Sequence, residues 1–512
     1  MQCLAHRFIL PALPIVMRSP THPHTGSGRA EAATVRGVAR RTKIIATIGP
    51  ASADEATLIA MMQAGMNVAR IALAHTPLDE ALERHQRIRD VAERLGLNIG
   101  TMIDLPGSKT RTGRFPAEGV EFSVDDTVTL VPGAGDSSAE QISIDYAHLV
   151  DDCHVGDEIL VGGSVIFAVQ KVQGQSITAK VISSGPLSGR AGVHIPFGTA
   201  VYRPVTDFDR EALDKFVEVG VDMVAISVNS GRDLRELALE PHPRGPMVIA
   251  KIETMAAVEN LSSIIEDAAG IMVERGALGI EANLEDLPHI QKSVIRECIA
   301  GGLPVITAAQ MLDSMAKAQA PTRAEATDIA NAVFDGTSAV MLSAETAIGE
   351  HPVLVVETMA RIAERSDDQF NHQAWAERVA AIRMAGHEHS EAAITDAMTI
   401  AAARASEELN VRALLCISAS GFTVRSMARF RPSAKILGFS GQKATVRQLA
   451  SSWGVTPIYF ESGTADYEER VRLAVNQARR EGHVATGDLI GVVAGIASVA
   501  RATDTFRMMR VP

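Results

Sequence analysis

The feature that most constrains the fold of this chain is a regular alternation of short apolar runs with longer helical stretches. Eight runs have the length and composition of strands, and most of the stretches between them carry apolar residues at helical spacing. The predicted strands are 43–48, 67–73, 98–104, 222–227, 247–251, 270–274, 304–308 and 338–342. This alternation predicts an α/β fold, a (β/α)8 TIM barrel, with an open doubly wound sheet as the alternative.

One long insertion interrupts this alternation. The segment 113–204 consists of short alternating runs punctuated by Gly and Asp, without a helical stretch. It predicts a small β-barrel domain, residues 106–205, inserted in a βα loop. Because βα loops surround the mouth of such a barrel, the insertion is placed to act as a lid.

The segments outside the barrel differ from it in composition and in predicted secondary structure. Residues 1–40 are rich in Pro, His, Gly and Ser and are expected to form a disordered extension; a signal or transit peptide is the alternative. The barrel is assigned to 41–105 and 206–366, and a polar connector to 367–390. Residues 391–512, with strands at 412–418, 435–439, 456–460 and 488–494, predict a C-terminal open-sheet α/β domain.

The composition excludes several classes of function. A net charge of −12 argues against nucleic acid as a partner, because binding to phosphate backbones needs a basic face. No apolar run is long enough for a membrane span. The four cysteines are far apart and form no CxxC pair, so we expect no disulfide framework, no zinc site and a cytoplasmic location.

Charged residues gather where the predicted barrel strands end. Lys251 and Glu253 are two residues apart and therefore share one face of a strand. Near the ends of other strands lie Arg70, His75, Asp104, Lys109, Arg111, Glu274, Arg275, Gln310, Ser343 and Glu345. Each alone is explained by a surface ion pair, but together they suit a phosphorylated anion held with a divalent metal ion, and hence phosphoryl transfer.

Several long motifs resemble the pyruvate kinase family from about residue 40 to the C-terminus. They are RRTKIIATIGPAS (40–52), AGMNVARIALAHT (64–76), AKIET (250–254), GIMVERGALGIE (270–281), AAQMLDSM (308–315), PTRAEATDIANAVFDGTSAVMLSAETAIGEHP (321–352) and SASGFTVRSMARFRP (418–432). The resemblance implies phosphoryl transfer from phosphoenolpyruvate to ADP, giving pyruvate and ATP in the last step of glycolysis. It also implies a Mg²⁺ or Mn²⁺ cofactor and a homotetramer.

The resemblance assigns roles to individual residues. Arg70 would bind the phosphate, and Lys251 would stabilise charge on the transferring group or the enolate. Glu253 would hold the metal, and Asp104 occupies the monovalent-ion position. The backbone N–H groups around Arg275 and Gly276 would face the substrate carboxylate.

The resemblance also places a nucleotide and an effector. Pro50, His75 and Arg111 would lie near the nucleotide. The loop with Ser418, Ser420, Gly421 and Thr423 corresponds to the place where phosphorylated sugar effectors bind in the family, although an ordinary helix cap explains the same residues.

Several positions depart from the family's pattern; five carry alanine, and Gly162 and Gly163 replace an acidic pair of the lid. Ala277 replaces a metal-binding carboxylate, Ala309 a threonine, Ala72 and Ala74 two K⁺ ligands, and Ala191 a lysine of the lid. These losses predict slow turnover. The alternative is a catalytically impaired paralogue that binds metabolites as a regulatory subunit.

Two other residues bear on these losses. Lys109 stands where K⁺-independent members of the family have lysine, so we expect that K⁺ is not required. Glu274 stands three positions before Ala277 and either supplies a metal ligand or pairs with Arg275 or Arg70.

Overall fold

A closed barrel of eight parallel strands forms the centre of the protein. The computed structural model describes residues 40–107, 110–162, 165–195, 205–384, 391–464, 466–495 and 503–512. The barrel strands, numbered first to eighth, are Lys43–Thr47, Val68–Ala72, Gly100–Asp104, Met223–Ser227, Met247–Ile252, Gly270–Glu274, Val305–Ala308 and Ala339–Leu342. Each strand pairs with the next, and the first pairs with the eighth. The predicted TIM barrel is confirmed, and the open-sheet alternative is wrong.

Alternate side chains on each strand fill the inside of the barrel and the layer beneath the helices. Ile45 belongs to the inner cluster, whereas its neighbours Ile44 and Ala46 pack in the outer one, as the two-residue period of a strand requires. The inner cluster includes Met102, Met223, Met247, Met272 and Met341. Flexible methionines fill this space in a chain with only 4% aromatic residues.

Several helices around the barrel, including those that follow Asp54, Thr206 and Thr254, begin at a side chain that accepts a hydrogen bond from a free backbone N–H group. Thr322 and Glu325 form a capping box at the start of Arg323–Asp335. The other helices in this part of the chain are Glu55–Ala64, Leu78–Leu95, Asp207–Glu218, Gly231–Arg235, Met255–Glu259, Leu261–Asp267, Arg275–Glu281, Leu287–Gly301, Ala344–Ala347 and Pro352–Asp368. The helix Leu261–Asp267 follows a separate short helix, Met255–Glu259, and the chain turns at Asn260 between them.

The insertion between the third and fourth barrel strands is a small β structure with its own apolar core. Six strands, in spatial order, are Val193–His194, Glu158–Val161, Val165–Gln173, Ser176–Ser183, Thr127–Pro132 and Gln141–Ile144. Bridges from Thr112 to Ile144 and from Arg111 to Gly192 join the two edges of this sheet and close it into a small barrel. Val120–Phe122 and Gly185–Leu187 pair separately.

The C-terminal part is a second α/β unit with a five-stranded sheet. In spatial order its strands are Val455–Tyr459, Lys435–Ser440, Ala413–Ile417, Leu489–Ala494 and Thr505–Arg510. The last of them is antiparallel and was not predicted. The accompanying helices are His372–Met384, Glu391–Glu408, Phe422–Ala428, Lys443–Gln448 and Tyr467–Arg480.

Two features concern the chain as a whole. Within the part that the structure describes, no helix combines the length and apolarity needed to cross a membrane. The predicted N-terminal extension lies, apart from Arg40, outside the described residues, as does Lys109.

Candidate active site

The charged residues at the barrel mouth continue the inner face of the strands. Each of six side chains lies two positions after a residue of the inner apolar cluster, so all six point toward the barrel axis. They are Thr47, Arg70, Asp104, Ser227, Lys251 and Glu274. The site is therefore a polar layer directly above the apolar filling of the barrel.

Asp104 joins the two cations of this layer. Its Oδ2 accepts hydrogen bonds from Nε and Nη2 of Arg70, at 2.9 and 2.6 Å, and its Oδ1 lies 2.8 Å from Nζ of Lys251. Thr47 Oγ1 accepts from Nη1 of Arg70 at 2.8 Å. The guanidinium and the ammonium are thus held beside each other by one buried carboxylate, which offsets their mutual repulsion.

Glu253 completes this mouth cluster of Arg70, Asp104, Lys251 and Glu253. Its Oε1 lies 3.2 Å from Nζ of Lys251, and its Oε2 accepts a hydrogen bond from Ser227 Oγ at 2.7 Å. The side chains of Lys251, Asp104 and Glu253 are all less than 10% exposed. Charges at this depth are screened little by salt and interact strongly.

The carboxylates keep both cations protonated. Burial lowers the pKa of Lys251, but the charges of Asp104 and Glu253 outweigh it and raise that pKa above its ordinary value. Burial also lowers the pKa of Arg70, but the charge of Asp104 opposes this effect, and the pKa of Arg70 is raised above its ordinary value. Two permanent positive charges therefore face the mouth, which suits an anionic ligand.

Glu274 ends the sixth strand, and Glu253 follows the end of the fifth strand. The last residues paired between these neighbouring strands, Ile252 and Val273, directly precede the two glutamates. The charge of Glu274 raises the pKa of both Arg70 and Lys251, so its carboxylate is near enough to act on both cations. Its Oε1 lies 3.7 Å from the point that a Cβ on Gly276 would occupy.

Arg275 points away from the mouth. Its guanidinium donates to the carbonyl oxygens of Ala309 and Gln310, the latter at 3.0 Å, and pairs with Asp328 at 2.5 Å. Ala309 and Gln310 have φ values of 68° and 54°, a left-handed conformation that costs a non-glycine residue about 1–2 kcal/mol. The Arg275 side chain therefore holds a strained turn, and only its backbone and that of Gly276 remain for a ligand at the mouth.

The substituted positions lie near the ends of the second, sixth and seventh strands and in the lid. Ala72 pairs with Asp104 across the sheet, Ala74 is exposed, and Ala277 and Ala309 are half-buried at the ends of the sixth and seventh strands. In the lid, the carbonyl of Ala191 accepts a hydrogen bond from the backbone N–H of Thr112, and the N–H of Ala191 donates to Thr112 Oγ1. None of these side chains carries an oxygen. Among the described residues, no three His, Cys, Asp or Glu side chains converge on a metal position.

The residues predicted to lie near a nucleotide are on loops. Pro50 and His75 are exposed just after the first and second strands. Arg111 lies at the base of the lid, where its Nη1 donates to the carbonyl of Arg190 at 3.2 Å. Lys109, predicted to replace K⁺, lies outside the described residues.

The predicted effector loop opens the helix Phe422–Ala428. Gly421 has φ 76°, which favours glycine at this turn. Ser418 and Ser420 are half-buried, and Thr423 is buried with its Oγ1 2.8 Å from that of Thr503. The Thr423 hydroxyl therefore stabilises the fold of the C-terminal unit.

Two contributors to the site were missed by the sequence analysis, namely Thr47 and Ser227. Thr47 binds Arg70, and Ser227 binds Glu253. Their signal in the sequence was position alone, because each is the last residue of an inward-facing series.

Comparisons with known proteins agree with this architecture. Residues 39–356 match the family model "Pyruvate kinase, barrel domain", and residues 396–509 match "Pyruvate kinase, alpha/beta domain". A pyruvate kinase of Geobacillus stearothermophilus is 38% identical over 89% of this chain and 78% of its own length. One of Clostridium acetobutylicum is 34% identical over 92% of this chain and 99% of its own.

A solved structure gives the same result. A pyruvate kinase from Cryptosporidium parvum superimposes with a TM-score of 0.82 at 29% identity, over 92% of this chain and 96% of that one. Both family models match in the expected order along the sequence. This chain belongs to the pyruvate kinase family.

Proposed function

We propose that this protein transfers the phosphoryl group of phosphoenolpyruvate to ADP, forming pyruvate and ATP. The observation that carries the proposal is the mouth cluster, in which Asp104 holds Arg70 and Lys251 side by side at hydrogen-bonding distance. Two fixed positive charges at a water-restricted mouth favour a substrate with a phosphate and a carboxylate. Fixed charges of this kind are the main source of catalysis in phosphoryl transfer.

Each residue at the mouth has its own role in the proposed reaction. Arg70, fixed by Thr47 and Asp104, binds the phosphate oxygens. Lys251, whose pKa is raised, stays charged and stabilises the negative charge that develops on the transferring group and the enolate oxygen. The backbone N–H groups around Arg275 and Gly276 orient the carboxylate, and Pro50, His75 and Arg111 line the approach of ADP.

The residues also fit a divalent cation. Mg²⁺ is commonly bound by one or two carboxylates together with substrate phosphates, and Glu253 and Glu274 directly follow Ile252 and Val273, which pair between the fifth and sixth strands. We propose that these two carboxylates hold Mg²⁺ or Mn²⁺. When bound, such an ion neutralises charge on the phosphoryl oxygens.

We further propose that K⁺ is not required. Both oxygens of Asp104, at the monovalent-ion position, are engaged by Arg70 and Lys251. Ala72 and Ala74 offer no side-chain oxygen to an ion. The ammonium of Lys109 is the group proposed to replace the monovalent ion.

A second function is favoured by the alanines at the mouth. Ala277 and Ala309 remove a carboxylate and a hydroxyl from the side opposite the intact cluster, and loss of one transition-state contact costs about 3–4 kcal/mol. On this proposal the chain binds phosphoenolpyruvate without useful turnover and acts as a regulatory subunit. The anion-binding pair Arg70 and Lys251 would be retained for that purpose.

The deciding experiment measures turnover of phosphoenolpyruvate and ADP with Mg²⁺ or Mn²⁺, with and without K⁺. Slow, K⁺-independent turnover supports the first proposal. No turnover in the parent, together with activity gained by Ala277→Asp with Ala309→Thr, supports the second. A strict requirement for K⁺ contradicts the role given to Lys109.

The same proposal extends to the location, oligomeric state and ligands of the protein. We propose a cytoplasmic homotetramer with phosphoenolpyruvate and adenine nucleotides as its ligands, and with neither nucleic acid nor a membrane as a partner. The loop of Ser418, Ser420, Gly421 and Thr423 is proposed as an effector contact. Size measurement in solution and a screen of phosphorylated sugars against turnover test these two points.

A further inference from the structure

A contact outside the mouth cluster joins the lid to the barrel. His194 is on the lid strand Val193–His194, and its Nδ1 lies 3.5 Å from Oε1 of Glu281. Glu281 is the last residue of the helix Arg275–Glu281, which follows the sixth barrel strand. Its other oxygen, Oε2, accepts a hydrogen bond from the backbone N–H of Met255 at 2.6 Å. One carboxylate thus contacts the lid and the segment that follows the fifth strand.

The segment held by Glu281 carries a residue of the mouth cluster. Met255 is two residues after Glu253, and it begins the helix Met255–Glu259. Thr254, between them, donates to Oδ1 of Asn229 at 2.7 Å and caps the same helix. The backbone at Glu253 is therefore fixed from two sides, and the Glu281 side is the one that also reaches the lid.

We infer that Glu281 is a positioning residue for phosphoryl transfer, which holds the lid closed through His194 and holds the Glu253 loop in place through Met255. The catalytic part of this inference rests on the proposed function, because a closed lid excludes water from the transferring group. The structural part, that this contact keeps the lid on the mouth, does not depend on turnover.

The charges around His194 give the contact a pH dependence. Burial lowers the pKa of His194, and Glu281, the charge that acts on it among the described residues, opposes this only in part. In an open lid the ring faces water and has the ordinary histidine pKa of about 6.5. Protons therefore bind the open lid more tightly, so closure is complete above that pH and weakens as the pH falls below it.

Distances between spin labels test the lid directly. Labels at Val155→Cys in the lid and Arg232→Cys on the barrel report closure, since both positions are well exposed. The described native cysteines are buried, and Cys3→Ser removes the remaining one. We expect His194→Ala and Glu281→Ala to shift the distance distribution of the parent toward longer values. Lys180→Gln, which removes an ion pair inside the lid, should leave it unchanged.

Hydrogen exchange tests the other half of the contact. Glu281→Ala should speed exchange of the Met255 amide about tenfold or more, because a hydrogen bond to a charged acceptor is lost. Glu281→Gln keeps an acceptor and should restore most of the protection, whereas His194→Ala should not change it. Unchanged exchange in Glu281→Ala would overturn the assignment.

Turnover separates this inference from the proposed function. If the parent turns over, both alanine variants should lower kcat more than they change KM, and the activity of His194→Ala should lose the parent's decline below about pH 6.5. If the parent does not turn over, the label distances must still lengthen in the two variants. Distances that match the parent in both variants overturn the inference, whatever the activity.

Discussion

The two sides of the barrel mouth differ in the number of charged side chains that they contribute. On the side of the second to fifth strands, Arg70, Asp104, Lys251 and Glu253 form a continuous set of charge contacts. On the side of the sixth and seventh strands, Ala277 and Ala309 contribute no polar side-chain atom, and Glu274 is the one carboxylate directed at the cluster. On our proposal, the first side binds the anion and the second side completes the metal site.

This difference shows why family membership does not by itself determine activity. The same fold brings both halves to one mouth, and the charged half would bind a phosphorylated ligand whether or not the other half supports transfer. Substitutions on the side of the second to fifth strands should therefore change the rate. Substitutions on the side of the sixth and seventh strands should change the metal affinity.

The largest effect is expected for Lys251→Met in the charged half. Removing the ammonium leaves developing charge without its nearest donor, so kcat/KM should fall about 10²- to 10³-fold. Steady-state kinetics with phosphoenolpyruvate and ADP measure this. Lys292→Met, which removes a half-exposed partner of Asp335, is the matched control and should leave the rate unchanged. A loss of less than tenfold in Lys251→Met would mean that the charged half does not carry the reaction.

Asp104→Asn should cost stability in the same half. Breaking a buried charge contact costs about 3–5 kcal/mol, since Lys251 and Arg70 are left without their shared carboxylate. The raised pKa of Lys251 means that this stabilisation is present below the ordinary lysine pKa and is lost only as the pH rises through the raised value. The difference in free energy of unfolding should thus stay constant from about pH 6 to 9.

Urea unfolding at several pH values measures this difference. Asp335→Asn, at the partly exposed pair with Lys292, serves as the comparison and should cost about 1 kcal/mol or less. A difference for Asp104→Asn that falls steeply within that pH range would show that Lys251 loses its proton there.

The two halves also differ in how well the sequence predicted them. The strand ends and the two-residue period were sufficient to bring Arg70, Asp104, Lys251 and Glu253 to one mouth, because the pattern of a parallel barrel fixes which residues face inward. The pattern could not predict the turn at Ala309 and Gln310, whose left-handed backbone depends on carbonyl contacts with Arg275. Nor could it predict the last strand, Thr505–Arg510, which pairs antiparallel with a strand that the pattern did predict.

On the side of the sixth and seventh strands, Glu274→Gln should weaken binding of Mn²⁺. Loss of one of two carboxylates is expected to lower the affinity about tenfold or more, while binding of inorganic phosphate to Arg70 and Lys251 persists. Electron paramagnetic resonance of free Mn²⁺ measures the affinity without turnover. Glu266→Gln, an exposed carboxylate on the helix Leu261–Asp267, is the control. Equal affinity in both variants would mean that Glu274 serves only to neutralise the two cations.

The smallest effect is expected for Ser227→Ala. Its hydroxyl donates to Oε2 of Glu253 at 2.7 Å, and the loss of a hydrogen bond to a charged group costs about 1.5–3 kcal/mol when the acceptor stays buried. Part of that cost is recovered if Glu253 turns toward the mouth, so we expect roughly a three- to tenfold fall in kcat with little change in the KM for phosphoenolpyruvate. Ser227→Thr keeps the donor and should restore the rate. An equal fall in both variants would show that space at this position matters, and that the orientation of Glu253 does not depend on the hydroxyl.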